Sequence, residues 1–144
     1  MKVKFTIPGE PKGKARPRVT KGGITYTPAE TVNYENWVKV CYQQQVNRHL
    51  GDGQIEIEVD MYYSIPKSAA KGKILAMKHN IVRPTKKPDC DNVLKAIADS
   101  LNGIAYKDDS QIVTAVIRKL YSVEPRVEVE IFDRESDPDY VTGV

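Results

Sequence analysis

The sequence predicts a small α/β (α+β) domain: a mixed sheet of about four strands packed by two main helices, in the order β-α-β-α-β-β. Three stretches carry this expectation. Residues 54–63 alternate strictly between Ile55, Ile57, Val59, Met61, Tyr63 and polar residues, as a half-buried strand must. Residues 27–46 and 89–101 instead repeat their apolar positions every three to four residues, the period of a helix with one buried face.

Along the chain, Val3, Phe5 and Ile7 alternate with Lys2, Lys4 and Thr6, predicting a first strand. The prolines and glycines of residues 8–18 break all periodicity, so Lys12, Lys14, Arg16 and Arg18 are expected on a loop. Gly22-Gly23 marks a turn and residues 24–26 a short extended piece. Thr27-Pro28-Ala29-Glu30 reads as a capping box opening the first helix, with Tyr34, Trp37, Val38, Cys41, Tyr42 and Val46 turned to the core and Gly51-Asp52-Gly53 as its stop. Glu56, Glu58 and Asp60 fall on the solvent face of the second strand. Residues 66–88 form an irregular basic segment in which 68–78 supports a weak helix at most, one that a nucleic-acid backbone would order. Residues 110–122 are β-rich with little polar alternation, predicting a strand covered on both faces. Residues 126–132 alternate once more, and 133–144 read as a frayed tail of the single domain 1–144.

Composition narrows the function. No apolar run reaches the ~20 residues of a membrane span and the first residues hold no signal-peptide core, so no membrane partner is expected. Two cysteines, Cys41 and Cys90, make no disulfide framework, which fits a reducing cytoplasm, and no Cys/His cluster of zinc type occurs. The net charge is only +3, but it is segregated. Residues 1–21 carry seven basic groups against Glu10, residues 66–88 carry seven with no acid, and residues 124–144 carry seven acids against two arginines. A polyanion on one side of the molecule is the partner such a distribution fits.

The chemistry concentrates in residues 84–111. Pro88 favours an extended residue before it, so a helix begins at or just after Asp89, with Val93, Leu94, Ile97, Ala98 and Leu101 on its apolar face. Asp91, Lys95 and Asp99 stack at four-residue spacing on the polar face. Asp89 at the cap and Asp91 in the first turn can converge on one ion, joined by one of Asp108 and Asp109 from the entry to the next strand. Mg²⁺ takes one or two carboxylates with water and phosphate oxygens, so this set suits metal-assisted phosphodiester hydrolysis, with Lys95 one turn above Asp91 to meet a phosphate or leaving oxygen. Asp99 shares the stripe but lies two turns from the expected ion and reads as a solvated surface acid. Cys90 is expected to point away from the acids. A calcium loop counted from Asp89 fails, since Leu94 and Ser100 stand where glycine and glutamate are needed.

Asp89-x-Asp91-Asn92-x-x-Lys95, followed by Asp108-Asp109-x-Gln111, resembles the signature of the RusA family of Holliday junction resolvases, often carried by prophages. The N-terminal loop and Tyr26-Thr27-Pro28 are similar to RusA-like proteins of Gram-positive bacteria and phages. The resemblance covers most of the chain and is strongest over about 25 residues. It implies a homodimeric endonuclease in DNA recombination and repair, dependent on Mg²⁺ (with Mn²⁺ as a substitute), that cuts four-way junctions with paired symmetric nicks and uses no nucleotide cofactor. It puts the catalytic acids and metal ligands on Asp89, Asp91 and Asp109 and the essential lysine on Lys95. Lys12, Lys14, Arg16, Arg18, Lys86 and Lys87 are expected to contact DNA phosphates. Two further readings stay open: a nuclease for other branched or single-stranded DNA, and a DNA-binding module without catalysis.

Overall fold

Alternation decides the sheet, and the register shows how. The computed structural model describes residues 1–134. Four strands, β1 (Lys2–Pro8), β4 (Ile55–Ser64), β5 (Ile112–Ser122) and β6 (Arg126–Asp133), form one mixed sheet in the order β1-β6-β4-β5. β6 runs antiparallel to both β1 and β4, whereas β5 runs parallel to β4. The register aligns Val3 with Ile131 and Ile57, Phe5 with Val129 and Val59, and Ile7 with Val127 and Met61. These nine side chains form three continuous apolar rows, all buried. The opposite face carries the charged residues of the same strands, which makes the domain two layers deep.

Helices α1 (Ala29–Gln45) and α3 (Cys90–Ser100) complete the core over the apolar rows. α1 presents Tyr34, Val38, Cys41 and Tyr42, and α3 presents Val93, Ala96 and Ile97. Phe5 meets Tyr42 edge-on, with ring centroids 5.2 Å apart. The single-domain α+β fold with a mixed four-stranded sheet is the architecture that the periodicities predict.

Several local expectations are corrected. Trp37 is not core: it is 41% exposed at the edge of the α1 stripe, and its indole N–H donates to the Pro8 carbonyl at 3.0 Å. α1 begins one residue later than a Thr27 cap requires. Pro28 occupies the N-cap with no side-chain hydrogen bond, and its carbonyl accepts from Thr31 and Val32 instead. The helix ends at Gln45, well before the glycines, because Asn47 takes the left-handed conformation (φ 50°) that closes a helix, its N–H bonded to the Tyr42 carbonyl at 3.0 Å.

A hairpin of β2 (Arg18–Val19) and β3 (Thr25–Tyr26) turns through Gly23 at φ 82°, so Arg18 lies on a short strand and not in the loop. α2 (Lys71–Lys78) forms within the protein alone, tied down by buried Met77 and by the N–H groups of Ile81 and Val82 returning to the Ala76 carbonyl. β5, at the edge of the sheet beside β4, is not covered on both faces: Val113 is 59% exposed and Leu120 alone in the strand is buried. Its apolar run reflects packing beside α3 along part of its length and exposure along the rest. The expected frayed tail lies outside the described residues from 135 on, while Asp133 ends β6 with its N–H bonded to the Met1 carbonyl at 2.8 Å.

Ile57 is fully buried in the central apolar row. Ile57→Ala is expected to cost about 2–5 kcal/mol, read as a lower urea midpoint with an unchanged slope; a midpoint equal to the parent's would contradict this core assignment.

Candidate active site

The crossover from β4 to β5 delivers the acidic segment, and three contacts fix its approach. The Tyr63 hydroxyl donates to the Pro88 carbonyl at 2.6 Å, the Lys119 ammonium to the Lys86 carbonyl at 2.5 Å, and the Arg83 Nε to the Lys119 carbonyl at 2.7 Å. The Lys119 ammonium also sits 5.3 Å from the centre of the Tyr63 ring. Residues 83–88 are thereby held to the ends of β4 and β5, and the chain enters α3 directly after a cis Lys87-Pro88 bond. Asp89 is the N-cap residue by backbone conformation, yet its side chain makes no capping hydrogen bond. Its exposed carboxylate is therefore not occupied by the helix start.

α3 then projects Asp91, Lys95 and Asp99 along one polar stripe. Asp99 is the least exposed of these charges: its side chain is 19% exposed against 63% for Lys95, and Asp91 is exposed. The Lys14 ammonium, 85 residues away in sequence, donates to Asp99 Oδ2 at 2.6 Å and lies 3.4 Å from Glu35 Oε1 on α1. Lys95 Nζ approaches the same Asp99 oxygen at 3.7 Å. The expectation of a solvated surface acid at Asp99 is thus corrected; its four-residue spacing from Lys95 was the available signal, but the partner from the N-terminal loop left no trace in local pattern.

The second acidic pair divides its work. Asp108 caps a turn of 3-10 helix (Asp109–Gln111): its carboxylate accepts from the Ser110 N–H at 2.9 Å, and the Gln111 side-chain oxygen accepts from the Asp108 N–H at 2.9 Å. The hydrogen bonds from Ser110 draw the Asp108 carboxyl below its ordinary range. Gln111 also donates to the carbonyls of Gly51 and Gly53, each at 2.9 Å, anchoring the turn to the loop before β4. Asp109, the neighbour, faces α3 with its carboxyl beside that of Asp99. Burial, the Asp99 contact, and the charges of Asp99 and Asp108 push the Asp109 carboxyl up, with Lys95 opposing. For Asp99, burial acts upward but is outweighed by the bond to Lys14, the Asp109 contact and the nearby lysines, and its carboxyl lies below the usual range.

Two clefts adjoin on this surface. The smaller, about 260 Å³, is lined by Asp91, Leu94, Lys95, Ala98, Asp109 and Ile112. The larger, about 700 Å³, is walled by residues 11–16 of the loop, Glu30 and Thr31 at the start of α1, and Lys87, Pro88, Asp89 and Asn92. Asp91, Lys95 and Asp109 thus share one cleft, and Asp89 lines the next. Among the described residues no group of three His, Cys, Asp or Glu side chains has a metal-holding arrangement. Two carboxylates on a cleft without histidine or thiol suit a hard dication that completes its shell with water and phosphate oxygens, and the close Asp99–Asp109 contact marks a place where added positive charge is favourable. Cys90 is half-buried against the core.

Of the expected DNA-facing residues, Lys12, Arg16, Arg18, Lys86 and Lys87 are exposed, and Lys12, Arg16 and Lys87 line the larger cleft. Lys14 is turned inward to its two acids. The loop is seated on α3 by the Lys14 N–H bonded to the Asn92 carbonyl at 3.0 Å and the Ala15 N–H bonded to Thr31 Oγ1 at 3.0 Å. Gly13 permits that approach: a Cβ there would stand 2.9 Å from Asn92 Cβ and 3.2 Å from Pro88 Cβ. Gly13→Val is expected to lift the loop from α3. Hydrogen exchange at the Lys14 amide reads this out, and protection equal to the parent's would refute the close docking.

The family model of endodeoxyribonuclease RusA matches residues 8–132, which take in β4, β5, all of β6 but its last residue, and of β1 only Pro8. An uncharacterized protein of Bacillus subtilis (strain 168), YqaN, is 38% identical over 134 residues, covering 90% of this chain and 94% of that protein. With the acidic stripe, the second acidic pair and the basic loop all inside the matched region, the chain belongs to the RusA family of endodeoxyribonucleases.

Proposed function

We propose that this chain is a Mg²⁺-dependent endonuclease that resolves four-way DNA junctions by paired symmetric nicks, acting as a homodimer in recombination and repair. The observation that carries the reading is the shared cleft of Asp91, Lys95 and Asp109, set directly beside a cleft with a basic wall. Asp91 and Asp109 would hold the ion, with Asp89 available from the adjoining cleft; Mn²⁺ has the same preference for oxygen ligands. An ion held by these carboxylates would supply a bound water of lowered pKa and offset the charge developing on the phosphate.

The chain's own residues divide the remaining tasks. Lys12, Arg16 and Lys87 on the larger cleft take backbone phosphates, and Arg18 and Lys86 extend that contact, giving affinity that falls with salt and depends little on sequence. Lys95, exposed on the small cleft, neutralises a phosphate oxygen or gives its proton to the leaving oxygen. Two copies related by a two-fold axis present one such site to each of two strands of a junction with the same symmetry.

The test is cleavage of a panel of branched DNAs, with Mg²⁺ present and withheld, alongside sedimentation of the protein against a protomer mass of 16.2 kDa. Four-way junctions should be cut fastest, by a dimer, and only with the dication. Asp91→Asn should lose more than the roughly 10–100-fold that follows removal of an outer-sphere partner of a metal, while junction affinity is retained because the basic wall is untouched. Flaps or single strands cut as fast as junctions would redirect the substrate assignment. An Asp91→Asn protein cutting at the parental rate would sink the proposed site.

A further inference from the structure

Lys14 and Asp99 stand apart from the groups assigned so far. Lys14 was expected to contact DNA and Asp99 to face solvent, and both are instead partly covered members of a charge network that crosses the fold. Lys14 is 25% exposed, and its ammonium lies between Asp99 on α3 at 2.6 Å and Glu35 on α1 at 3.4 Å. Asp99 in turn meets Lys95 at 3.7 Å, and its carboxyl lies beside that of Asp109. One carboxylate therefore touches the basic loop, the lysine of the stripe and the second acid of the small cleft.

We propose that Asp99 is a positioning residue: paired with Lys14, it braces the basic loop against α3 and holds Lys95 and Asp109 in their places on the small cleft. The inference rests on the nuclease reading for its rate measurement, though not for its binding measurement. Three features of the geometry support it. First, the Lys14 backbone is itself fixed, its N–H bonded to the Asn92 carbonyl at 3.0 Å, so the side chain reaches Asp99 from an anchored root. Second, without Asp99 the Lys14 and Lys95 ammonium groups would face one another with no shared counter-charge, and Lys95 would lose its partner on that side of the stripe. Third, Asp109 sits on a short turn whose caps fix the backbone but not its own side chain, and its carboxyl lies beside that of Asp99.

A brace and a phosphate contact make opposite predictions for Lys14. A lysine already neutralised by two acids releases no counterions on binding DNA, whereas Lys12, exposed on the cleft wall, does. The experiment measures junction affinity against salt with the dication withheld, for the parent, Lys12→Gln and Lys14→Gln. Lys12→Gln should flatten the log–log slope by about 1, and Lys14→Gln should leave it unchanged. Single-turnover cleavage is then compared for Lys14→Gln, Asp99→Asn and the double variant. Each single variant should be slower by about 10–100-fold, the loss typical of groups that orient a metal's ligands. The double variant should be no slower than the worse single one, because the two side chains act as one unit. Lys14→Arg, which keeps the charge, should recover most of the rate.

A Lys14→Gln slope that falls as far as that of Lys12→Gln would overturn the brace, and so would single-variant losses that multiply in the double. Thermal midpoints are recorded for every variant. Should Asp99→Asn unfold, Lys14→Gln carries the test through its slope and its rescue by arginine. A parent protein that bound junctions but did not cut them would count against the nuclease reading alone, and the salt slopes would still decide between brace and phosphate contact.

Discussion

The parallel pairing of β4 with β5 is the constraint from which the rest follows. Antiparallel neighbours can be joined by a tight turn, but parallel strands need a crossover long enough to return to the starting edge. Here β6 takes the place between β1 and β4, so β5 has only the far side of β4 to pair with. The intervening chain, residues 65–111, must travel the length of the sheet, and it contains the basic segment, the acidic helix and the capped acidic turn. The topology thus collects at one end of the crossover the groups that sequence distributes over almost fifty positions.

What the crossover brings near, charge pairing makes tolerable. Asp99 and Asp109 approach one another on a partly covered surface, where like charges push the carboxyls upward. Lys14 and Lys95 offset this for Asp99, while Asp109 keeps the raised carboxyl. The difference between those two acids is set by who their neighbours are and not by depth alone. It also separates Asp108 from Asp109: adjacent in sequence, one is turned to backbone N–H groups and the other to the cleft.

Much of the fold was legible because it repeats with a short period. β1, β4 and β6 show strict alternation, and α3 begins at the residue following its N-cap Asp89, as the proline before it predicts. Features that depend on distant partners were not legible. Nothing near Trp37 tells that α1 turns it to the Pro8 carbonyl, and nothing near Asp99 tells that Lys14 arrives from the first twenty residues. The apolar run of β5 was misread for a related reason: hydrophobicity alone does not tell whether another layer covers a strand's faces, and most of this strand is left partly open. Asn47 ended α1 early because asparagine can do at a helix end what glycine does, and the conspicuous glycines drew the expectation away from it.

The open face of the sheet carries one further consequence. Acidic Glu58 and Asp60 on β4 stand directly opposite Glu130 and Glu128 on β6, a pairing that repels on its own. Lys2 and Lys4 on β1 reach Glu130, Arg118 on β5 reaches Glu58 and Asp60, and Arg126 reaches Glu128 within its own strand. Read across the strands, the charges run basic, acidic, acidic, basic. The two inner strands are therefore compatible as neighbours only while both outer ones are docked, and a slip of one residue would both expose the apolar rows and strip the acids of their counter-charges. Strand order and register are written twice on this sheet, once on each face.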